Sequence, residues 1–217
     1  MAFFDSVKWI RDYGGMTETP TSRGEGRSAL LQAAVSELQD NGAGGLSLRA
    51  IARRAGVSHA APKYHFNDRS GLLTAVAIDG FARLNAALES SIGEAGADPM
   101  ARFIAGGRAY VEFGIENPAL FTLMFRPEEL DLGNAELMEQ KTAAYGVLNR
   151  IVLEGTDAGA FAPGISSDTV GLISWAFLHG LVVLAHDGAL EIMTHTPDAP
   201  DLTHSLVAAF AGTITAH

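Results

Sequence analysis

The side chains best suited to recognising a charged partner are concentrated in one short segment, residues 58–65. It contains two histidines, a lysine and a tyrosine. A lysine ammonium neutralises phosphate, and imidazole and hydroxyl groups hydrogen-bond to phosphate oxygens or to base edges. This is the chemistry of non-covalent nucleic-acid recognition, and the residues expected to contact DNA are Ser47, Arg49, Ser58, His59, Ala60, Pro62, Lys63, Tyr64 and His65.

Two short helices joined by a tight turn are predicted to hold these side chains, over residues 46–66. Ser47 is placed to cap the first helix and Ser58 the second, because a serine hydroxyl accepts hydrogen bonds from the free N–H groups of a helix start. Gly56 supplies the positive φ that the turn needs. Pro62 lies in the first turn of the second helix, where proline disturbs a helix least. The second helix can then enter a DNA major groove, which is about 12 Å wide and admits one helix.

The spacing of small and apolar residues here resembles that of a known DNA-binding family. The pattern Ile51-Ala52-x-x-Ala55-Gly56-Val57-Ser58, followed by Tyr64-His65-Phe66 and Leu72-Leu73, is similar to the DNA-binding domain of TetR/AcrR-type regulators over about residues 27–75. The resemblance implies a homodimer of all-helical subunits whose C-terminal domain binds a small effector. At residues 60–63 the chain departs from the family's usual residues. These positions are expected to face the DNA groove, so the departure affects which bases the protein prefers and not the predicted fold.

Charge is distributed unevenly, although the whole chain has a formal net charge of −10. Residues 45–70 contain five basic residues and a single acidic one, Asp68, whereas residues 71–217 contain six basic and eighteen acidic residues. Salt confines the attraction to phosphate to about 8–10 Å. A local basic region can therefore bind DNA even though the body of the protein is acidic.

Helical periodicity dominates the chain after Arg27, so the predicted fold class is all-α. We expect an N-terminal extension or arm at 1–24, a three-helix helix-turn-helix domain at 25–75, and a larger helical domain for effector binding and dimerisation at 76–217. Within the extension, residues 1–15 are either a frayed segment or a helix that docks an apolar face on the body. After a fourth helix at about 69–92 and a break at 93–99, helices are predicted at 99–116, 118–125, 133–157, 167–187 and 201–215.

Aromatic residues in the second half predict an apolar effector pocket. Asn117-Pro118-Ala119-Leu120-Phe121-x-x-Met124-Phe125 and Trp175-x-x-x-His179-Gly180 resemble the C-terminal domain of a TetR subgroup with a Trp…His-Gly signature. Trp175 and His179 lie one helical turn apart, either as a pocket wall with one polar handle or as a packed tryptophan beside a buried histidine. The expected pocket residues, each of which has a core role as its alternative, are Phe103, Tyr110, Phe113, Phe121, Met124, Phe125, Tyr145, Trp175 and His179.

Two helices rich in small residues predict how the subunits associate. Residues 167–187 and 201–215 contain several glycines and alanines, which let helices approach closely. With the family resemblance, this favours a two-fold symmetric four-helix dimer seam, for which packing within one chain is the alternative.

The sequence gives little support for a disulfide, a metal site, an enzyme active site or a membrane span. The chain has no cysteine, which excludes disulfides and thiolate metal sites and fits a cytoplasmic protein. We expect no cofactor and no enzyme activity, because Gly-x-Ser-x-Gly, His-Glu-x-x-His and P-loop motifs are missing. We also expect no metal site, because the four candidate ligands are too loosely spaced to bind one ion: His195, Asp198, Asp201 and His204. The apolar run Ile173–Ala185 is too short to span a bilayer and is expected to be a buried helix, without membrane contact.

Two alternatives to a ligand-responsive repressor stay open at this point. One is a DNA-binding architectural or co-regulatory protein that takes no small ligand. The other is a helical enzyme that uses Tyr145 or His179 as an acid or base.

Overall fold

The computed structural model describes residues 23–194 and 199–215, and most of these residues are helical. Of the extension predicted at residues 1–24, residues 1–22 lie outside the described residues, as do His195 and Asp198. The elements are α1 (Arg23–Gly45), α2 (Leu48–Arg54), α3 (Ala61–Phe66), α4 (Arg69–Glu94), α5 (Pro99–Glu116), α6 (Pro118–Met124), a 3₁₀ turn (Pro127–Glu129), α7 (Ala135–Asp157), α8 (Ser167–His186), α9 (Ala189–Thr194) and α10 (Ala199–Ile214). Within the described ranges the β-structure consists of one antiparallel bridge, Phe161 to Thr215. The predicted all-α class is confirmed.

Local sequence signals set several helix starts. The Ser47 hydroxyl accepts from the N–H of Ala50 at the start of α2, and the Asp68 carboxylate accepts from the N–H of Gly71 at the start of α4. Gly56 has φ of +68° in the turn that follows α2. The predicted cap at Ser47, the positive φ at Gly56 and the start of the fourth helix at about residue 69 are confirmed, because each depends on residues only a few positions apart.

The cap predicted at Ser58 is wrong. Helix α3 begins at Ala61 and its N-terminal flanking residue is Ala60, which provides no capping side chain. Ser58 instead takes part through its backbone, because its carbonyl accepts from the N–H of Ala61 at 3.0 Å. Residues 58–60 therefore belong to the turn, and the recognition helix begins two residues later than expected.

Helix α4 connects the N-terminal helices to the rest of the chain. Near its start, Leu72 and Leu73 are fully buried beside the core of α1 and α2, which includes Leu30, Leu38 and Ile51. Farther along, α4 buries Leu84, Leu88 and Ile92 in the body. The domain boundary predicted between residues 75 and 76 falls inside this continuous helix, and the division into domains stays a prediction.

Helix α8 is more exposed than the sequence predicted. By length and composition alone, α4 and α8 could cross a membrane. The fold buries 56% of the most apolar stretch of α4, but only 28% of that of α8. Leu172 is 65% exposed, and Ile173, Val183 and Leu184 are exposed as well. The interpretation of residues 173–185 as a buried helix is therefore wrong for the described chain, because one broad apolar face of α8 has no intrachain partner.

Candidate nucleic-acid interface and apolar cavity

The short helix α3 and its preceding turn carry most of the side chains predicted to contact DNA. Exposed in the structure are Ser47, Arg49, Ser58, His59, Ala60, Lys63 and Tyr64, and His65 is half-buried. Pro62 is buried, which contradicts its predicted place on the groove-facing surface. The reason is the late start of α3, since Pro62 and Phe66 stand four residues apart and both face the core.

The first turns of α1 hold α3 in place. The Arg27 guanidinium lies 5.4 Å from the centre of the Phe66 ring, a cation–π contact. A Cβ built on Gly26 would lie 3.7 Å from Nε2 of His65, so the two helices approach closely there. The sequence interpretation did not single out Arg27, and its position near the start of α1 gave no signal for a contact about forty residues away.

The arginines of α2 have different partners. Arg54 pairs with Glu37 at 3.1 Å and with Asp40 at 2.7 Å, and the hydrogen bond to Asp40 raises the pKa of Arg54 despite some desolvation. Arg49 and Arg53 are exposed and have no ion pair among the described residues. Arg49 and Arg53 thus keep their charge available to phosphate, whereas α1 carboxylates neutralise Arg54.

An apolar cavity lies between α4, α5, α7, α8 and α10. It encloses about 50 Å³ in which a water-sized sphere can be centred. Five of the nine predicted pocket residues line it: Phe103, Tyr110, Phe125, Tyr145 and Trp175. The rest of the wall, which the sequence interpretation missed, consists of Phe81, Leu84, Leu88, Gly106, Gly107, Ala144, Val147, Leu148, Ile151, Leu178, Val207 and Phe210.

The other four predicted pocket residues lie behind or beside this wall. Phe121 and Met124 are buried in the core, and Met124 packs so tightly on Gly80 that a Cβ there would lie 2.7 Å from its sulfur. Phe113 lies below the guanidinium of Arg83, 5.8 Å from the ring centre. His179 faces a separate surface groove with Phe121. The sequence predicts them as pocket residues because aromatic composition alone does not distinguish a cavity wall from solid core.

His179 nevertheless reaches the cavity wall through one hydrogen bond. Its Nδ1 lies 3.0 Å from the hydroxyl of Tyr110. Burial raises the pKa of Tyr110, partly opposed by a hydrogen bond from Trp175, and burial together with nearby His186 lowers the pKa of His179. The Trp175 and His179 rings are 5.4 Å apart, as expected for one helical turn. Tyr110 and His179 thus form a hydrogen-bonded pair of a neutral phenol and a neutral imidazole at the edge of the apolar cavity.

Family models match both halves of this arrangement. Residues 30–76 match the model described as "Bacterial regulatory proteins, tetR family", and residues 103–210 match "Tetracyclin repressor-like, C-terminal domain". The chain belongs to the TetR family. The TetR-family assignment predicted from the helix-turn-helix pattern is confirmed, whereas the Trp…His-Gly subgroup is not confirmed.

Individual relatives agree with this TetR-family membership. The chain is 31% identical over 140 residues to the HTH-type transcriptional regulators Rv1816 of Mycobacterium tuberculosis and Mb1846 of Mycobacterium bovis. The match covers 63% of this chain and 56% of theirs, so the chain spans little more than half the length of these relatives.

Solved structures with the same fold include one similar over nearly its whole length. A protein of unknown function from Rhodococcus sp. RHA1 is 37% identical, with a TM-score of 0.77, and the match covers 91% of this chain and 99% of that one. The TetR-family regulator PfmR from Thermus thermophilus, 19% identical, shares the fold with a TM-score of 0.63 over 82% of this chain and 94% of its own. The chain is therefore a TetR-family protein with a helix-turn-helix domain, and its family membership favours a regulator over the alternative of a helical enzyme.

Proposed function

We propose that this TetR-family regulator is a repressor that binds a near-palindromic operator as a homodimer and releases it when a small apolar molecule occupies the cavity. The observation that carries the proposal is the cavity itself. Its described lining is hydrocarbon and aromatic, and its polar groups are the hydroxyls of Tyr110 and Tyr145 and the indole N–H of Trp175. Ligand sites are typically apolar spaces with a few convergent polar groups.

The proposed DNA contacts come from α2, α3 and the turn between them. Ser47 and Arg49 at the start of α2 are exposed where a phosphate can approach, as are Tyr64 and, in part, His65 at the end of α3. Because Pro62 is buried and Ala60 has only a methyl group, direct base readout falls to His59 and Lys63, with Ser58 beside them. Specificity then depends in part on DNA shape.

The exposed face of α8 supports a homodimer. Leu172, Ile173, Val183 and Leu184 are uncovered, and a Cβ built on Gly171 or Gly180 would meet no atom within 4 Å. Large contiguous apolar surfaces on a protein mark association sites, and small residues let two helices approach closely. Two copies joined along α8 and α10 present two recognition helices, whose half-sites should be about 10 bp apart.

The proposed effector is neutral and largely apolar. A charged group would lose its hydration in this cavity without an opposite charge among the described lining residues, at a large free-energy cost. The available space is small, so a ligand larger than a few atoms must displace wall side chains. That displacement gives the effector a different affinity for the two states of the protein, which is the requirement for allosteric release.

One experiment tests both halves of this function. Bound DNA is selected from a random pool, and the selected operator is then titrated with protein in the presence and absence of neutral aromatic and aliphatic compounds. We expect a near-palindromic site, and weaker DNA binding with those compounds that raise the melting temperature. Selection of no site contradicts operator binding. If no compound of a broad library stabilises the protein, the alternative of a DNA-binding co-regulator that takes no ligand is supported. We expect either protein to act in the cytoplasm.

A further inference from the structure

Arg69, the first residue of α4, connects three parts of the chain. Its Nη1 pairs with Oε2 of Glu129 at 2.5 Å, and its Nη2 donates to the backbone carbonyl of Ala43 at 2.5 Å. The Ala43 carbonyl also accepts from the N–H of Leu46 at 3.3 Å, in the turn that leads from α1 into α2. One guanidinium therefore ties the entry of the helix-turn-helix to the 3₁₀ turn Pro127–Glu129 of the body.

The 3₁₀ turn is attached to the cavity on one side and to α4 on the other. Phe125, which lines the cavity and packs 5.6 Å from the Phe81 ring, precedes Glu129 by four residues. After the turn, the N–H of Asp131 donates to the hydroxyl of buried Thr74 at 2.9 Å. Three residues of backbone separate Phe125 at the cavity from Glu129, whose carboxylate holds Arg69.

We propose that Arg69 and Glu129 are positioning residues that set the orientation of the helix-turn-helix on the body and transmit displacement of Phe125 to it. The proposal rests on the proposed function, since it concerns how occupancy of the cavity changes DNA affinity. The two side chains are 38% and 20% exposed, so this ion pair contributes little to the free energy of unfolding. Its role is geometric, because a planar guanidinium holds two acceptors at fixed directions.

The charge of Glu129 makes the proposal easy to distinguish from ordinary electrostatics. Removing an acidic side chain near a DNA-binding surface should strengthen DNA binding or leave it unchanged if charge alone matters. Removing the carboxylate that positions Arg69 should weaken it. The two explanations thus predict opposite signs for Glu129→Ala.

Glu128 provides a matched control on the same 3₁₀ turn. It is exposed and has no ion pair among the described residues, and Glu128→Ala removes the same charge as Glu129→Ala. With the full-length protein and its selected operator, we expect Glu129→Ala to bind about fivefold more weakly or worse, the lower end of typical coupling. Glu128→Ala should bind as the wild type or more tightly.

Two further readouts separate positioning from direct DNA contact and from general destabilisation. Arg69→Met should weaken binding without changing the salt dependence, whereas loss of a phosphate contact reduces the slope by about 0.9. In DNA-free protein, Glu129→Ala should accelerate hydrogen exchange of the Leu46 amide, with a melting temperature close to that of Glu128→Ala.

Failure of this inference and failure of the proposed function give different results. If wild-type protein binds its operator and both alanine variants bind and exchange alike, the positioning role is overturned. If wild-type protein selects no DNA, operator binding fails, and the exchange rate at Leu46 in Glu129→Ala against Glu128→Ala still decides whether Glu129 holds the helix-turn-helix. A reduced salt slope in Arg69→Met reassigns Arg69 to phosphate contact and also overturns the proposal.

Discussion

The hydroxyl of Tyr110 lies 3.0 Å from Nδ1 of His179, and this pair joins helix α5 at the cavity wall to helix α8. On the same side of α8, Nε2 of His186 donates to the carbonyl of Gly114 at 2.9 Å. Two histidines of one helix thus each bond to α5. Exposed Leu172 and Val183 stand seven residues before and four residues after His179, so the exposed apolar face of α8 begins directly beside these contacts. Helix α8 therefore connects the cavity to the proposed dimer seam.

Tyr110→Phe should lower the free energy of unfolding by about 1 kcal/mol, because it removes a buried hydroxyl and leaves the Nδ1 of His179 without its partner. Tyr145→Phe is the matched control. Tyr145 also lines the cavity, but it is 41% exposed and its hydroxyl has no hydrogen bond among the described residues. Urea denaturation of both variants at pH 7.5 measures the difference, and equal stabilities would contradict a structural role for the pair.

Stability should decrease on acidification through His179. Its pKa is lowered in the folded protein by burial, with a further contribution from His186. The unfolded chain therefore takes up this proton first, below about pH 6.5, and stability falls from there until the pH passes the lowered pKa of the folded protein. His179→Asn keeps an acceptor for Tyr110 but does not titrate, so its unfolding free energy should fall less between pH 7.5 and 5. A parallel decline in both proteins would assign the effect to other groups.

Lys63→Ala should weaken operator binding. If Lys63 contacts phosphate, the loss is uniform across DNA sequences and the salt slope decreases by about one; if it contacts a guanine, one base position loses about 1–3 kcal/mol of discrimination. Titrations at several salt concentrations distinguish the two. Arg54→Ala serves as a contrast, because Arg54 is paired with Glu37 and Asp40 and should affect stability without reducing the slope. Wild-type affinity and slope in Lys63→Ala would remove Lys63 from the interface.

Leu172→Glu should convert the proposed dimer to monomers, because it places a charge on the exposed face of α8. The helix itself should tolerate glutamate, which is a good helix former. Leu132→Glu is the control, since Leu132 is 49% exposed but lies in the loop before α7. Sedimentation velocity gives the oligomeric state of each variant. Dissociation by Leu132→Glu, or a dimer that survives Leu172→Glu, would place the seam elsewhere.

Gly114→Ala should destabilise the body by about 1–3 kcal/mol, because its Cβ would lie 2.5 Å from Cγ1 of Val182 on α8. A Cβ added at Gly146 would meet no atom within 4 Å. Gly146→Ala should therefore stabilise α7 by about 0.5–1 kcal/mol, because alanine has the higher helix propensity. Thermal and urea unfolding of the two variants compare close packing with propensity. Equal effects would mean that α5 and α8 are not in close contact at Gly114.

Local signals predicted the helix-turn-helix more accurately than the body. The cap at Ser47, the positive φ at Gly56 and the start of the fourth helix at about residue 69 are predicted correctly, because capping and positive φ depend on neighbouring residues. Ser58 was interpreted wrongly for an equally physical reason. It was a suitable cap, but burial of Pro62 and Phe66 starts α3 at Ala61 and leaves Ser58 in the turn. The short helix α9 was missed as well, since its six residues carry too little periodicity to be distinguished from a loop.

The all-helical fold, the DNA-binding motif and most helix ends follow from periodicity and caps, which act over one or two turns of chain. The cavity does not follow from them, because Phe121 and Phe125 have the same chemistry and stand one turn apart, yet only Phe125 lines the cavity. The same holds for Arg69 and Glu129, which are sixty residues apart in the chain. Their contact exists only because α4 and the turn after α6 pack side by side, and long-range packing leaves no local pattern in a single sequence.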